Sequence, residues 1–219
     1  EHDMLQDFRH CDLIDHEDNM ADMFNVSFNH LKQSFQLIDG HILEFGVFDA
    51  KSINKMAELW PDRTLYGFDS FEGLPEDWDL GSKLYRKMTK WHLHGNLPEV
   101  ADNVHLIKGF FDDTLPDWWA ENRGPIALLH VDCDLYSSTK TVLSTVNDGI
   151  VPGTIIRFDD LIDFREFENY QGKGSHLSQY TTWREHEWKA VQEWVTNHHR
   201  VLQPLYRGWF QWAVAKVIG

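Results

Sequence analysis

Basic residues are scarce in this chain. Its 219 residues include 20 Lys+Arg against 35 Asp+Glu, a formal net charge of −15. Gripping a nucleic-acid backbone or an anionic membrane takes clustered cations, so neither is expected as the main partner. Cysteine is scarce too. Cys11 and Cys133 stand far apart and in no metal spacing, which suits a reducing, cytoplasmic setting without a disulfide framework. No apolar run approaches the length of a membrane span, and none reads as a signal peptide. Glycine is missing where a dinucleotide site would need it. After the first strand signal comes Gly46 and then none until Gly67. There is no G-x-G-x-x-G cradle for a pyrophosphate, which disfavours a nicotinamide oxidoreductase.

What is present is an apolar and aromatic content of 42% and 14%, enough for one well-covered core. Strand and helix signals alternate. Residues 41–47 read as a strand. A helix from Ser52 follows, with Ile53, Met56, Ala57 and Trp60 on one face and Pro61 ending it. Further strands are expected at 64–68, 104–107, 126–131 and 154–158. Helices are expected at 117–121 and from Ser137 to a stop at Gly149. Thr182 and Glu185 have capping-box spacing ahead of a helix that buries Trp188, Val191, Trp194 and Val195. Residues 200–205 and 209–217 read as two antiparallel strands. The pattern predicts a doubly wound, Rossmann-like α/β sheet, mostly parallel, with a C-terminal antiparallel hairpin.

One domain is expected over residues 41–219. Residues 1–40 are acidic and read as a helical extension, with Met23, Phe24, Phe28, Leu31 and Phe35 packing on the domain. That extension could mediate a homo-oligomer. His2, His10 and His16 fit no standard metal spacing, and His92 and His94 read as surface histidines. Residues 75–98 read as a lid-like insertion, and 162–180, with Gly172, Lys173, Gly174 and His176, as a polar loop.

In such sheets ligands bind outside the carboxyl ends of the strands. Gly46 ends the first strand, where a bare backbone lets a ligand approach, although a tight turn alone would explain it. Asp69 ends the second strand. A carboxylate there can accept both hydroxyls of a ribose, or simply cap a turn. A ribose acid without a pyrophosphate cradle favours S-adenosylmethionine over NAD. Asp112 could then accept from the adenine amino group, with Phe111 against the ring. Asp132 and Asp134 follow the fourth strand, and Asp159 and Asp160 the fifth. Neighbouring strands lie roughly 5 Å apart, so four carboxylates would crowd one small volume. They repel unless some are protonated or a cation sits between them. Oxygen ligands select Mg²⁺, Ca²⁺ or Mn²⁺ over Zn²⁺. The plainer alternative is that one pair caps a helix or faces solvent.

Six segments carry a family resemblance: EFGVF (44–48), GFDSFEGLPE (67–76), KGFFDDTLP (108–116), HVDCDLYSST (130–139), FDD (158–160) and WREHEWKAVQEW (183–194). With them the chain resembles the class I S-adenosylmethionine-dependent methyltransferases, and within these the macrocin O-methyltransferase family. The resemblance implies metal-dependent methylation of a hydroxyl on a sugar or other small polyhydroxylated molecule. It implies that Glu44, Gly46, Asp69, Ser70, Phe71 and Asp112 bind the donor. Asp132, Asp159 and Asp160 would hold Mg²⁺, and Asp134 would be the general base. Only the resemblance separates the roles of Asp132 and Asp134; their spacing suits either order. The chain departs from the family pattern at Asp49-Ala50-Lys51, in place of a small glycine-containing turn, and at Leu161, where an aromatic is common. Other readings are a methylase acting on a catechol-like phenol or a nitrogen, and a non-catalytic protein that binds the donor.

Overall fold

The central apolar runs, 126–131 and 155–158, are buried on both faces, as the middle of a parallel sheet requires. The structure, a computed structural model, describes residues 3–15, 22–81, 84–87, 89–167 and 180–219. His2, His16, Gly172, Lys173, Gly174 and His176 lie outside the described residues. The chain begins with α1 (Met4–His10), β1 (Asp12–Asp15), α2 (Met23–Ser34), β2 (His41–Phe45), α3 (Lys51–Leu59) and β3 (Leu65–Asp69). A small hairpin, β4 (Trp78–Gly81) and β5 (Leu84–Arg86), precedes β6 (Val104–Lys108), α4 (Phe111–Glu121), β7 (Ile126–Val131) and α5 (Tyr136–Thr145). It ends with β8 (Ile155–Phe158), α6 (Glu187–Asn197), β9 (Leu202–Gly208) and β10 (Ala213–Val217).

The main sheet has the order β1-β9-β10-β8-β7-β2-β3-β6. β10 runs antiparallel to both neighbours, and the remaining pairs are parallel. The chain builds outward from β2 through β3 to β6, then returns to place β7 on the other side of β2. That reversal is the switch point at which such sheets open a crevice. Side-chain alternation divides the core into two layers. Leu43, Phe45, Leu129, Val131 and Ile156 face α4, α5 and α6. Ile42, Leu128, Ile155 and Val214 face the layer holding Ile53 and Met56 of α3 and Phe28 and Leu31 of α2. Each such side chain stabilises the fold by about 1.5–3 kcal/mol.

Four expectations need correction. Residues 12–15, within the segment read as helical, form β1, which pairs with β9 and adds the eighth strand. α4 begins at Phe111, six residues before the expected 117–121, and runs through Pro116. Thr182 and Glu185 do not form a capping box. The Thr182 hydroxyl donates to the Asp79 carbonyl (2.6 Å), residues 183–185 make one 3-10 turn, and α6 starts at Glu187. The insertion at 75–98 contains the β4–β5 hairpin. Among the described residues no helix is long and apolar enough to cross a membrane.

Candidate active site

A cavity of about 590 Å³ opens at the carboxyl ends of β2, β3, β7 and β8. One wall is made by the turns that leave β2, β3 and β6. Gly46 has φ +92°, and a Cβ there would stand 1.7 Å from the Asp132 carbonyl oxygen. Glycine is thus required by the close approach of two strand ends, not by a ligand alone. Further along, Phe48 (φ +46°) and Ala50 (φ +63°) adopt left-handed backbone without being glycine. The turn keeps the shape that a glycine would favour although the sequence departs there.

Asp69 binds both turns together. Its Oδ2 accepts from the backbone N–H groups of Val47 (2.9 Å) and Phe48 (2.8 Å), and its Oδ1 from Phe71 (2.7 Å). Burial raises its pKa, and the N–H groups of Phe48, Phe71, Val47 and Ser70 offset only part of the rise. Ser70, also at the wall, locks its own turn by donating to the Gly73 carbonyl (2.8 Å). Phe111 and Asp112 line the cavity as well. The Phe111 ring stands edge-on to Phe45, and Asp112 accepts from the Thr141 hydroxyl (2.6 Å).

Glu44 and Phe71, both expected at the donor, are not in the wall. Glu44 lies beneath it, fully buried, with Oε2 2.8 Å from His130 Nδ1. Phe71 buries its ring in the α3-side layer. Its φ of +56° directs its backbone instead: the N–H serves Asp69, and the carbonyl accepts from Leu93 and Gly95 (2.9 Å each).

The acid side follows from register. Val131 pairs with Phe158, so Asp132 and Asp159 leave adjacent strands side by side. Two overlapping groups result, each with ligand atoms within 4.8 Å of one another: Asp132, Asp134 and Asp160, and His130, Asp132 and Asp159. The expected ligand set therefore divides, with Asp132 common to both halves. Asp159 is engaged by the Arg157 guanidinium. Asp160 accepts from the Gln211 amide, and its own N–H donates to Glu187 Oε1 (3.3 Å). Asp134 is the central residue of a three-residue turn closed by Leu135 N–H to the Cys133 carbonyl (2.5 Å), at φ +61°. Strain of this kind persists where the surroundings over-determine it, characteristically at functional sites.

Electrostatics separate these acids. Burial, then the charges of Asp159 and Asp134, push Asp132 well above the usual carboxylate range. Burial, then Asp134 and Asp159, do the same to Asp160. Glu187 is also raised, chiefly by burial, and its Oε2 is buried without a hydrogen-bond partner. Burial alone would raise Asp159, but chiefly the Arg157 guanidinium brings it below its ordinary value. The guanidinium that tempers Asp132 is thus already spent on Asp159. An all-oxygen set with this excess of negative charge fits a hard divalent cation such as Mg²⁺.

Sequence reasoning missed His130, Arg157, Glu187 and Gln211. Arg157 had a visible signal: one arginine inside the apolar run Ile155-Ile156-Arg157-Phe158 must find a partner if that strand is buried.

The strand order, the switch-point crevice and the acids at two adjacent strand ends define the class I methyltransferase fold. More particularly, the chain belongs to the macrocin O-methyltransferase (TylF) family, whose model matches residues 29–173. It is 30% identical to 8-demethyl-8-(2,3-dimethoxy-alpha-L-rhamnosyl)-tetracenomycin-C 4'-O-methyltransferase of Streptomyces olivaceus, over 56% of this chain and 53% of that protein. It is 28% identical to mycinamicin III 3''-O-methyltransferase of Micromonospora griseorubida, over 56% of each. The chain spans about half the length of these curated relatives. Among solved structures, the calicheamicin methyltransferase CalS11 superposes with a TM-score of 0.59 at 23% identity, over 88% of this chain and 76% of that one. That likeness speaks for the fold.

Proposed function

We propose that this chain transfers a methyl group from S-adenosylmethionine to a hydroxyl of a sugar or other small polyhydroxylated molecule, with Mg²⁺ as the resident cation. The observation that carries this is one cavity bounded by both the donor-side turns (Gly46, Asp69, Asp112) and the acids that end β7 and β8. Family membership supports the reaction type. The names of the sugar O-methyltransferases it is similar to support the acceptor class.

In this reading Gly46, Asp69, Ser70, Phe111 and Asp112 hold the donor, whose positive sulfonium suits an acidic cavity. Asp132, Asp159 and Asp160 hold the cation, with Asp132 central because it belongs to both groups. When bound, the cation polarises acceptor oxygens and lowers a hydroxyl pKa. Asp134, on its strained turn at the cavity wall, takes the hydroxyl proton at a carboxylate oxygen. The acceptor oxygen then bonds to the methyl carbon as the carbon–sulfur bond breaks, leaving S-adenosylhomocysteine. Trp78, Tyr180 and Phe210 offer apolar surface for the acceptor and exclude water. A small-molecule acceptor accords with the cavity. The charge of −15 and the two free cysteines support the cytoplasm, away from nucleic acid and membrane. Self-association through the N-terminal segment belongs to the same proposal and is read by sedimentation.

Calorimetry with S-adenosylhomocysteine and turnover of a panel of glycosides and vicinal diphenols test it. Donor binding with EDTA-sensitive methylation of a glycoside is the expected result. No heat of binding would overturn the donor assignment, full turnover in EDTA the metal role, and methylation confined to diphenols the acceptor class.

A further inference from the structure

β2, β7 and β8 are neighbours, and their registers place Glu44 opposite His130 and His130 opposite Arg157. These three residues form one row across three adjacent strands, on the face that α2 and α3 cover. All are fully buried. The row is continuous. Arg157 Nη1 donates to His130 Nε2 (2.8 Å), and a guanidinium cannot accept, so Nε2 is the acceptor. The ring proton therefore sits on Nδ1 and is donated to Glu44 Oε2 (2.8 Å). At its other end Arg157 grips Asp159 Oδ1, which lies 3.6 Å from His130 Nε2. Asp159 lines the cavity, and with Oδ1 committed, Oδ2 is the atom left to offer a ligand.

The surroundings hold this row rigid. Phe24 and Phe28 of α2 stand edge-on to His130, with centroids 5.7 and 5.4 Å away. The same rings and Trp212 flank the guanidinium at 5.0–5.4 Å, and Ser27 accepts from Arg157 Nε (3.0 Å). A buried ionic row is seldom more stable than apolar residues of the same volume, so stability alone does not account for it. Its direction does: it ends on an acid of the site.

We propose that Glu44 and His130 are positioning residues that act through Arg157 to fix the Asp159 arm of the cation site, and that Glu44 has no part in donor binding. The proposal rests on the reading of Asp159 as a metal ligand. Outer partners of this kind typically change metal affinity about 10–100-fold.

The test titrates the full chain with Mn²⁺, and separately with S-adenosylhomocysteine, in wild type, Glu44→Gln, His130→Leu and His130→Gln. His130→Leu is expected to weaken Mn²⁺ binding about tenfold or more while S-adenosylhomocysteine affinity stays within about twofold, which also shows the variant to be folded. His130→Gln, which restores an acceptor toward Arg157, is expected to recover most of the loss. Glu44→Gln losing S-adenosylhomocysteine affinity with Mn²⁺ binding unchanged would overturn the proposal. So would His130→Leu binding Mn²⁺ like wild type. Wild type that binds no Mn²⁺ removes the metal reading and this proposal together, whereas wild type that binds it alongside unaffected variants removes this proposal alone. Should His130→Leu fail to fold, ¹⁵N NMR of the wild-type ring decides: Nδ1 protonated and Nε2 bare is expected, and a protonated Nε2 would overturn it.

Discussion

Two acidic clusters meet at the head of β7 and β8, sharing a wall but not a charge balance. In one, Glu44, His130, Arg157 and Asp159 are joined end to end, and the chain supplies its own cation. In the other, Asp132, Asp134 and Asp160 converge with Glu187 buried behind them, and the nearest guanidinium is engaged elsewhere. The first cluster carries its own guanidinium, and Asp159 still turns Oδ2 toward the cavity. The second is completed either by protons or by a divalent cation. Burial treats both alike, so the difference lies in one residue, Arg157. An acid pair at a strand end is thus no sufficient sign of a ligand site. What sets the two clusters apart among the described residues is the Arg157 guanidinium that grips Asp159.

Removing that residue should have the largest effect. Arg157→Met strips the completed cluster of its cation and leaves Asp159 and Glu44 buried beside a neutral ring. Breaking a buried pair from one side typically costs about 3–5 kcal/mol. Urea denaturation of the metal-free protein should therefore show a loss of that order or a failure to fold. A loss below about 1 kcal/mol would mean that the cluster is not held by its charges.

Removing a charge from the other side should act oppositely. Asp132→Asn removes one carboxylate from a group that repels itself, so the metal-free protein should melt no lower than wild type. Its melting temperature should also cease to respond to millimolar Mg²⁺, whereas wild type should rise with added ion. An Asp132→Asn protein that melts several degrees lower in EDTA would show that the second cluster too is balanced as folded.

Acid–base behaviour distinguishes Asp159 from the acids of the second cluster without mutation, while Glu44, raised by burial, follows the second cluster. Asp132, Asp160 and Glu187 have folded pKa values above their unfolded ones. Their contribution is fully present below the ordinary carboxylate range and is lost as pH rises through the folded values. Asp159 is lowered, so its contribution is present above its ordinary value and is lost as pH falls through the folded one. In EDTA, stability should fall as pH rises above the ordinary carboxylate range, and Mg²⁺ should flatten that decline by replacing protons. Parallel curves with and without Mg²⁺ would remove the cation from the second cluster.

How much of this was legible depends on whether a feature is local. The acids of β7 and β8 could be read because each closes an apolar run, and the doubly wound order makes those runs neighbours. Register could not be read. It decides that Glu44, His130 and Arg157 align, and strand parity then sends Glu44 under α2 and α3 with Ile42 instead of into the cavity. β1 was illegible for a similar reason: Asp12-Leu13-Ile14-Asp15 is short and half acidic, and its partner strand lies at Tyr206–Gly208. Phe71 looked like a ligand because its motif is specific, but the motif's constraint falls on its left-handed backbone and not on its ring.

The smallest expected effect falls on Glu187, which lies in the 183–194 segment of the resemblance without a role assigned there. Glu187 is buried with one oxygen accepting from Asp160 N–H and the other unpartnered. If burial holds it protonated, as its raised pKa implies, glutamine is nearly its replica: same shape, no charge, one carbonyl for the Asp160 N–H. Glu187→Gln should then change metal-free stability at neutral pH by no more than about 0.5 kcal/mol, the scale of substitutions that alter no charge or contact. It should also reduce the pH slope in EDTA, since one of the raised carboxylates that lose protons is gone. A clear gain in stability would instead place an ionised Glu187 in the unbalanced cluster, making its charge excess larger by one and its need for a cation greater.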